Sequence, residues 1–293
     1  MAEVTDNLGH GSARPARRAP AGKGRRATGG FSLVELLLAV MILGVGLTMV
    51  ASVFPVGATW TRQTAEETVG GIVARNAVAI IQAKYNAGYM AGIGSPRGSG
   101  TATVVPLPGI GANSILLPLV ERAYDFGRGT PYPAANPVQA LYYWTALVRR
   151  SNASLGPATG NLPDGMLNSF DVYILVFKKG AVEQTFTNNG SEYVGTRDPS
   201  ETGVPYVATL QATPLSGNQV NLQAAAPSGL VGSQVIEGNS GTVYRVIGVA
   251  GNVLTLNGPA PTSLANLTFW YVPPANGTSV SPLVYVYQTT IAF

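Results

Sequence analysis

"RRATGGFSLVELLLAVMILGVGLTMV", Arg25 to Val50, contains two glycines, then a run apolar enough to cross a membrane, with one glutamate, Glu35, near its start. From Leu36 to Thr61 there are 26 residues without a charge, about 39 Å as an α-helix at roughly 1.5 Å per residue. A hydrocarbon core of about 30 Å is spanned with some to spare. A cleaved secretory segment has an apolar region of only about 7–15 residues, so this run is too long for one. Gly44, Gly46, Pro55 and Gly57 interrupt it. Such breakers are tolerated inside a membrane, where neighbouring groups re-satisfy the backbone, and they mark places where the helix can bend. Glu35 is harder to place. An ionisable group near the bilayer interior costs a few kcal/mol or more unless it is paired, so its presence reads as functional.

The charge distribution gives the run an orientation. Of 18 basic and 14 acidic residues in the 293-residue chain, six basic and two acidic ones lie in residues 1–30, so the whole net charge of +4 sits there. The remaining body is neutral and shows no nucleic-acid footprint. A basic head directly before an apolar helix is what a cytoplasmic flank looks like. Cysteine is absent, and the one histidine, His10, is in the basic head. Beyond residue 30 there is neither His nor Cys, which excludes Ser-His-Asp and Cys-His hydrolases and the usual zinc ligand sets. No cofactor is expected, and the chain reads as non-enzymatic.

Past Trp60 the pattern changes. In "TRQTAEETVGGIVARNAVAIIQAKYNAGY" the apolar residues Val69, Ile72, Val73, Ala77, Ile80 and Ile81 recur every three to four positions, the spacing of one helix face. Gly70 and Gly71 should weaken this half by about 1 kcal/mol each relative to Ala, and Asn86 and Gly88 are stop signals. The spacing predicts one helix from Phe31 to Tyr85, apolar all round at first and amphipathic afterwards.

A basic leader ending in glycine, followed by Phe31-Ser32-Leu33-Val34-Glu35 and a long apolar helix, resembles the N-terminus of type IV pilins and pseudopilins. The resemblance covers residues 24–60. It implies that a prepilin peptidase cuts the Gly30–Phe31 bond and N-methylates Phe31, and that Glu35 is the family's glutamate at the fifth mature position. It also implies a protein of the bacterial inner membrane, single-pass, with a cytoplasmic leader and an extracytoplasmic C-terminal part. Its partners would be the peptidase, other pilin or pseudopilin subunits, an inner-membrane assembly platform and the lipid bilayer. Cleavage there leaves 263 residues, a size that favours a minor pilin or large pseudopilin of a type IV pilus or type II secretion system. The alternative is a stand-alone membrane-anchored extracytoplasmic β-domain, ligand-binding or polymer-degrading, with an uncleaved signal anchor. That reading leaves the Gly-Phe junction and Glu35 as accidents. A twin-arginine signal at Arg25-Arg26 lacks the apolar residues expected next.

After Gly88 a Gly/Ser-rich stretch gives way to β-type patterns. Strands are expected at Thr101–Val105, Ser114–Leu117, Leu141–Arg149 and Asp171–Lys178, the last two pairing antiparallel. Tyr142, Tyr143 and Trp144 read as core. Farther on, Gly241–Val249 turns and returns as Val253–Leu256, and "SGNQVNL" (216–222) is echoed by "AGNVLTL" (250–256), which suggests two similar hairpins. "LTFWYVPP" and the terminal "SPLVYVYQTTIAF" add two strands to that module. The expected fold is α+β: a long N-terminal helix packed on an antiparallel sheet, plus a C-terminal β-rich module. The expected segments are leader 1–30, helix 31–88, pilin-like head 89–204 and C-terminal module 205–293. Glu192, Asp198 and Glu201 supply oxygen ligands of the kind calcium uses, but a solvated acidic loop is the simpler reading. Asp164 and Asp171 are not expected to act as paired carboxylates.

Overall fold

The computed structural model describes residues 30–86, 90, 103–107, 117–127, 130–134, 136, 140–151, 169–179, 204–261, 265–275 and 280–293. The calcium candidates Glu192, Asp198 and Glu201, together with Asp164 and the expected strand at 114–116, lie outside these residues. The fold is α+β. One helix, α1 (Leu33–Lys84), matches the sequence expectation to within two residues at its start. It is followed by β1 (Val105–Pro106), a short α2 (Leu119–Arg122), β2 (Ala123–Gly127), β3 (Thr130–Pro133), β4 (Tyr142–Arg150) and β5 (Ser169–Lys178). Then come β6 (Ala208–Pro214), β7 (Gln219–Leu222), β8 (Gln234–Glu237), β9 (Val243–Ala250), β10 (Val253–Leu256), β11 (Leu267–Tyr271) and β12 (Leu283–Ala292). The chain divides into two units, residues 1–57 and 58–293.

Within the second unit the head is an antiparallel sheet in the order β12-β5-β4-β2-β3, with β1 pairing the far end of β4. Its central strands are buried on both faces. From β4 and β5, Trp144, Ala146, Val148, Val172, Ile174 and Val176 join Val69, Val73, Ala77 and Ile81 of α1 in one core. The alternate residues Tyr143, Leu147, Tyr173, Leu175 and Phe177 join Ile236, Trp270 and Val272 in another. Double-sided burial is why "FDVYILVF" reads as a nearly continuous apolar run rather than an alternating one. Trp144 is fully buried, and its indole N–H donates to the Glu121 carbonyl at 3.0 Å. The aromatic cluster is core, as the sequence suggests.

The remaining six strands form a closed barrel, each antiparallel to its neighbours, in the cyclic order β6-β7-β10-β9-β8-β11. Its registers reveal an internal two-fold. Val220 pairs with Leu254 and Ile236 with Trp270, each residue facing its own counterpart 34 positions on. The turn glycines correspond as well, Gly217 at φ 65° and Gly251 at φ 59°, a conformation that suits glycine. The asparagine after each glycine caps the opposite repeat: Leu222 N–H donates to Asn252 O at 2.8 Å, and Leu256 N–H to Asn218 O at 2.9 Å. The echo of two hairpins is thus part of a longer duplication, β6-β7-β8 and β9-β10-β11.

One sequence expectation is corrected here. The terminal strand was expected in the C-terminal module, but β12 pairs with β5 from Leu283↔Phe177 to Ala292↔Ser169. The physical reason is closure: a six-stranded barrel has no free edge for a seventh strand, whereas the ten-residue β5 lacked a partner on one side. The barrel seats on the head through the β8–β9 turn. There the fully buried Glu237 carboxylate accepts the backbone N–H groups of Asn239 and Ser240 and the Asn239 amide. Arg149 of β4 donates to the Asn239 carbonyl at 2.8 Å.

Gly70 and Gly71 look equivalent in sequence and differ in the fold. A Cβ at Gly70 would lie 2.6 Å from the Tyr285 Cβ of β12, while one at Gly71 meets nothing within 4 Å. Gly70→Ala is therefore expected to destabilise the head by about 1–3 kcal/mol through overpacking. Gly71→Ala should stabilise it by up to about 1 kcal/mol through helix propensity. Denaturant unfolding of residues 58–293 checks both, and equal effects would contradict the close approach.

Candidate functional site

The predicted site residues sit at the start of α1. Residues 30–32 are not helical, and the helix opens at Leu33. The Ser32 carbonyl accepts the first helical bonds, from Glu35 N–H at 2.9 Å and Leu36 N–H at 3.1 Å, so Ser32 holds the position that begins the helix. Glu35 lies in the first turn, where a carboxylate is favoured by the helix dipole by about 0.3–1 kcal/mol. Gly30 and Phe31 are exposed, Phe31 at 83%, and among the described residues, its chain neighbours aside, nothing lies within 4 Å of a Cβ built on Gly30. The Gly30–Phe31 bond is thus in exposed, non-helical backbone just outside the helix. Among the described residues the Glu35 side chain makes no hydrogen bond or ion pair. Phe31 and Glu35 are four residues apart, one helical turn in sequence.

Every residue from Phe31 to Thr61 is exposed. The large apolar side chains among them, from Phe31 through Leu47 to Phe54 and Trp60, have no covering partner among the described residues. The helix is long and apolar enough to cross a membrane. Thr48 and Ser52 fold their hydroxyls back onto helix carbonyls, Thr48 to Val45 at 2.8 Å and Ser52 to Met49 at 2.7 Å, which removes their donors from an apolar surface. An exposed apolar surface of this extent marks a membrane or protein interaction site.

A family model, the prokaryotic N-terminal methylation motif, matches residues 25–51. Residues 25–51 are a prepilin-type segment. This is the segment that type IV pilins and pseudopilins share, and it contains Gly30, Phe31 and Glu35. No curated protein and no solved structure matches the chain. The prepilin-type segment and the apolar helix fit a membrane-anchored, pilin-like protein.

Sequence reasoning missed the charged cluster where the apolar run ends. Glu66 accepts from Arg62 Nε at 2.9 Å and from the Lys178 ammonium at the end of β5, tying α1 to the head sheet. Burial pushes the Glu66 carboxyl up, but the hydrogen bonds from Lys178 and then Arg62 outweigh it and hold the group below its ordinary value of 4.5. A carboxylate with a depressed folded pKa adds stability above its unfolded pKa and loses it as pH falls through the folded value. Wild type should therefore lose stability relative to Glu66→Gln as pH falls below about 4.5. Unfolding midpoints measured across that window check this, and parallel profiles would show that the pair contributes nothing. The Arg62/Glu66 spacing of four was visible in the sequence. The long-range partner Lys178 was not.

Proposed function

We propose that this chain is a non-enzymatic structural subunit of a type IV pilus-like filament, a minor pilin or large pseudopilin. It is inserted in the bacterial inner membrane with its basic leader in the cytoplasm. Prepilin peptidase cuts the Gly30–Phe31 bond and methylates the new Phe31 amine, and the subunit then assembles through α1 with other pilin-like subunits on an inner-membrane platform. The observation that carries this reading is the prepilin-type segment at residues 25–51. The exposed Gly30–Phe31 junction and the uncovered apolar length of α1 support it. Glu35 supports it too, because a carboxylate with no hydrogen bond or ion pair among the described residues gains a partner when cleavage creates a cation on a neighbouring Phe31. Barrel and head strands add no histidine or cysteine to the body, so the extra module enlarges the subunit's surface rather than supplying that chemistry.

Mass spectrometry of the mature N-terminus tests the processing: N-methylated Phe31 is expected, and an intact basic leader on the membrane-bound protein favours the stand-alone anchored domain. Purified residues 58–293 should show no esterase or protease turnover. Measurable turnover that survives repurification would overturn the non-enzymatic reading.

A further inference from the structure

Where the charge-free run of α1 ends, the second unit holds a cleft. A cavity of about 480 Å³ lies between α1 and residues 280–284, lined on its polar side by Arg62, Gln63, Glu66, Glu67 and Lys178. Arg62 is the first charged residue after the run. Trp60, two positions earlier, is 69% exposed, and tryptophan at such a boundary marks the headgroup level of a bilayer. Val280 at the rim is 74% exposed. The cleft is therefore lined by the residues at which a membrane-crossing α1 would leave the hydrocarbon.

The charges in the cleft are unequally engaged. Glu66 is neutralised by Lys178 and by Arg62 Nε. Arg62 uses only that nitrogen, so its two terminal nitrogens have no acceptor among the described residues, and its side chain is 75% exposed. Glu67 accepts one bond, from Gln63 Nε2 to Oε1 at 3.2 Å, which leaves its second oxygen open among the described residues. An incoming ligand thus meets one guanidinium edge and one carboxylate in a lining of no net charge. A guanidinium edge takes a phosphate through paired hydrogen bonds, and a carboxylate accepts from a primary ammonium.

We propose that this cleft binds the headgroup of a zwitterionic aminophospholipid, its phosphate on Arg62 and its ammonium on Glu67. The proposal rests on α1 crossing the membrane. A headgroup of purely negative charge would set its phosphate near Glu67 with no ammonium to answer it. A choline headgroup has no N–H to donate to the carboxylate. Phosphatidylethanolamine satisfies both groups.

The test uses the full-length chain in nanodiscs of equal parts phosphatidylethanolamine, phosphatidylglycerol and phosphatidylcholine, with retained lipid read by native mass spectrometry. One ethanolamine lipid per chain is expected in excess over the other two. Arg62→Gln should lower phospholipid retention roughly tenfold or more, the scale of losing a charge-assisted hydrogen bond. Glu67→Ala, which removes the acceptor, should keep retention but lose the preference for ethanolamine over choline. Both side chains are exposed, and an unchanged thermal unfolding profile confirms that each variant folds. Equal retention of all three lipids by wild type, or variants indistinguishable from it, overturns the proposal. So does an Arg62-dependent second copy of the chain in place of lipid, which would make the cleft a subunit interface. Sedimentation with vesicles separates the two layers of the argument. A chain that does not co-sediment brings down the anchor itself, and one that co-sediments without headgroup preference brings down only this site.

Discussion

Glu35→Leu is expected to be cleaved normally at Gly30–Phe31 and yet to be strongly depleted from filaments. The substitution leaves the scissile bond untouched, since that bond lies in the exposed residues before the helix. It also makes α1 more apolar, so membrane insertion should be intact or improved. On the proposed function, what it removes is the partner for the amine that cleavage would create on a neighbouring Phe31. An unpaired charge in a low-dielectric bundle of helices costs about 3–5 kcal/mol, enough to lower incorporation by roughly two to three and a half orders of magnitude if all of it is felt. Glu35→Asp should be intermediate, because its carboxylate sits about one methylene short. The checks are the mature mass of each variant and its share of purified filaments. A cleaved Glu35→Leu subunit found in filaments at wild-type level would make the glutamate incidental and return weight to the stand-alone anchored domain.

Gly30→Leu should have the converse outcome: an intact, unmethylated precursor that accumulates in the membrane. The expected effect is close to all-or-none, because the peptidase must accept the residue beside the bond it cuts. The structure makes the test clean. Among the described residues, its chain neighbours aside, nothing lies within 4 Å of a Cβ at Gly30, so a loss of cleavage would be assigned to recognition by the peptidase rather than to a clash with the helix or the body. Mass spectrometry of the membrane fraction decides it, and a normal mature mass would place the cleavage elsewhere.

Some of this was legible residue by residue. The helix could be read from Phe31 to Tyr85 and is found from Leu33 to Lys84, because its two halves carry strong and different local signals: unbroken apolarity, then a 3.6-residue stripe. Strands β4 and β5 were readable because β-branched and aromatic residues crowd them. The seven-residue echo at 216–222 and 250–256 pointed to a repeat. Its extent was hidden, since the two copies share a burial pattern more than they share residues. Leu210 and Tyr244 are both buried, as are Ala212 and Val246, and Val235 and Phe269.

The sequence by itself determined the local elements and the N-terminal segment, because these depend on the order of nearby residues: a glycine before a phenylalanine, a glutamate four positions on, a run too apolar for water. Only the tertiary structure decided where β12 belongs, which of two adjacent glycines is indispensable, and that Lys178 answers Glu66. Those outcomes depend on which strand edges remain open once the barrel has closed, and on how near two backbones come. Neither quantity is written in any short stretch of chain, since each is set by residues that meet across more than a hundred positions.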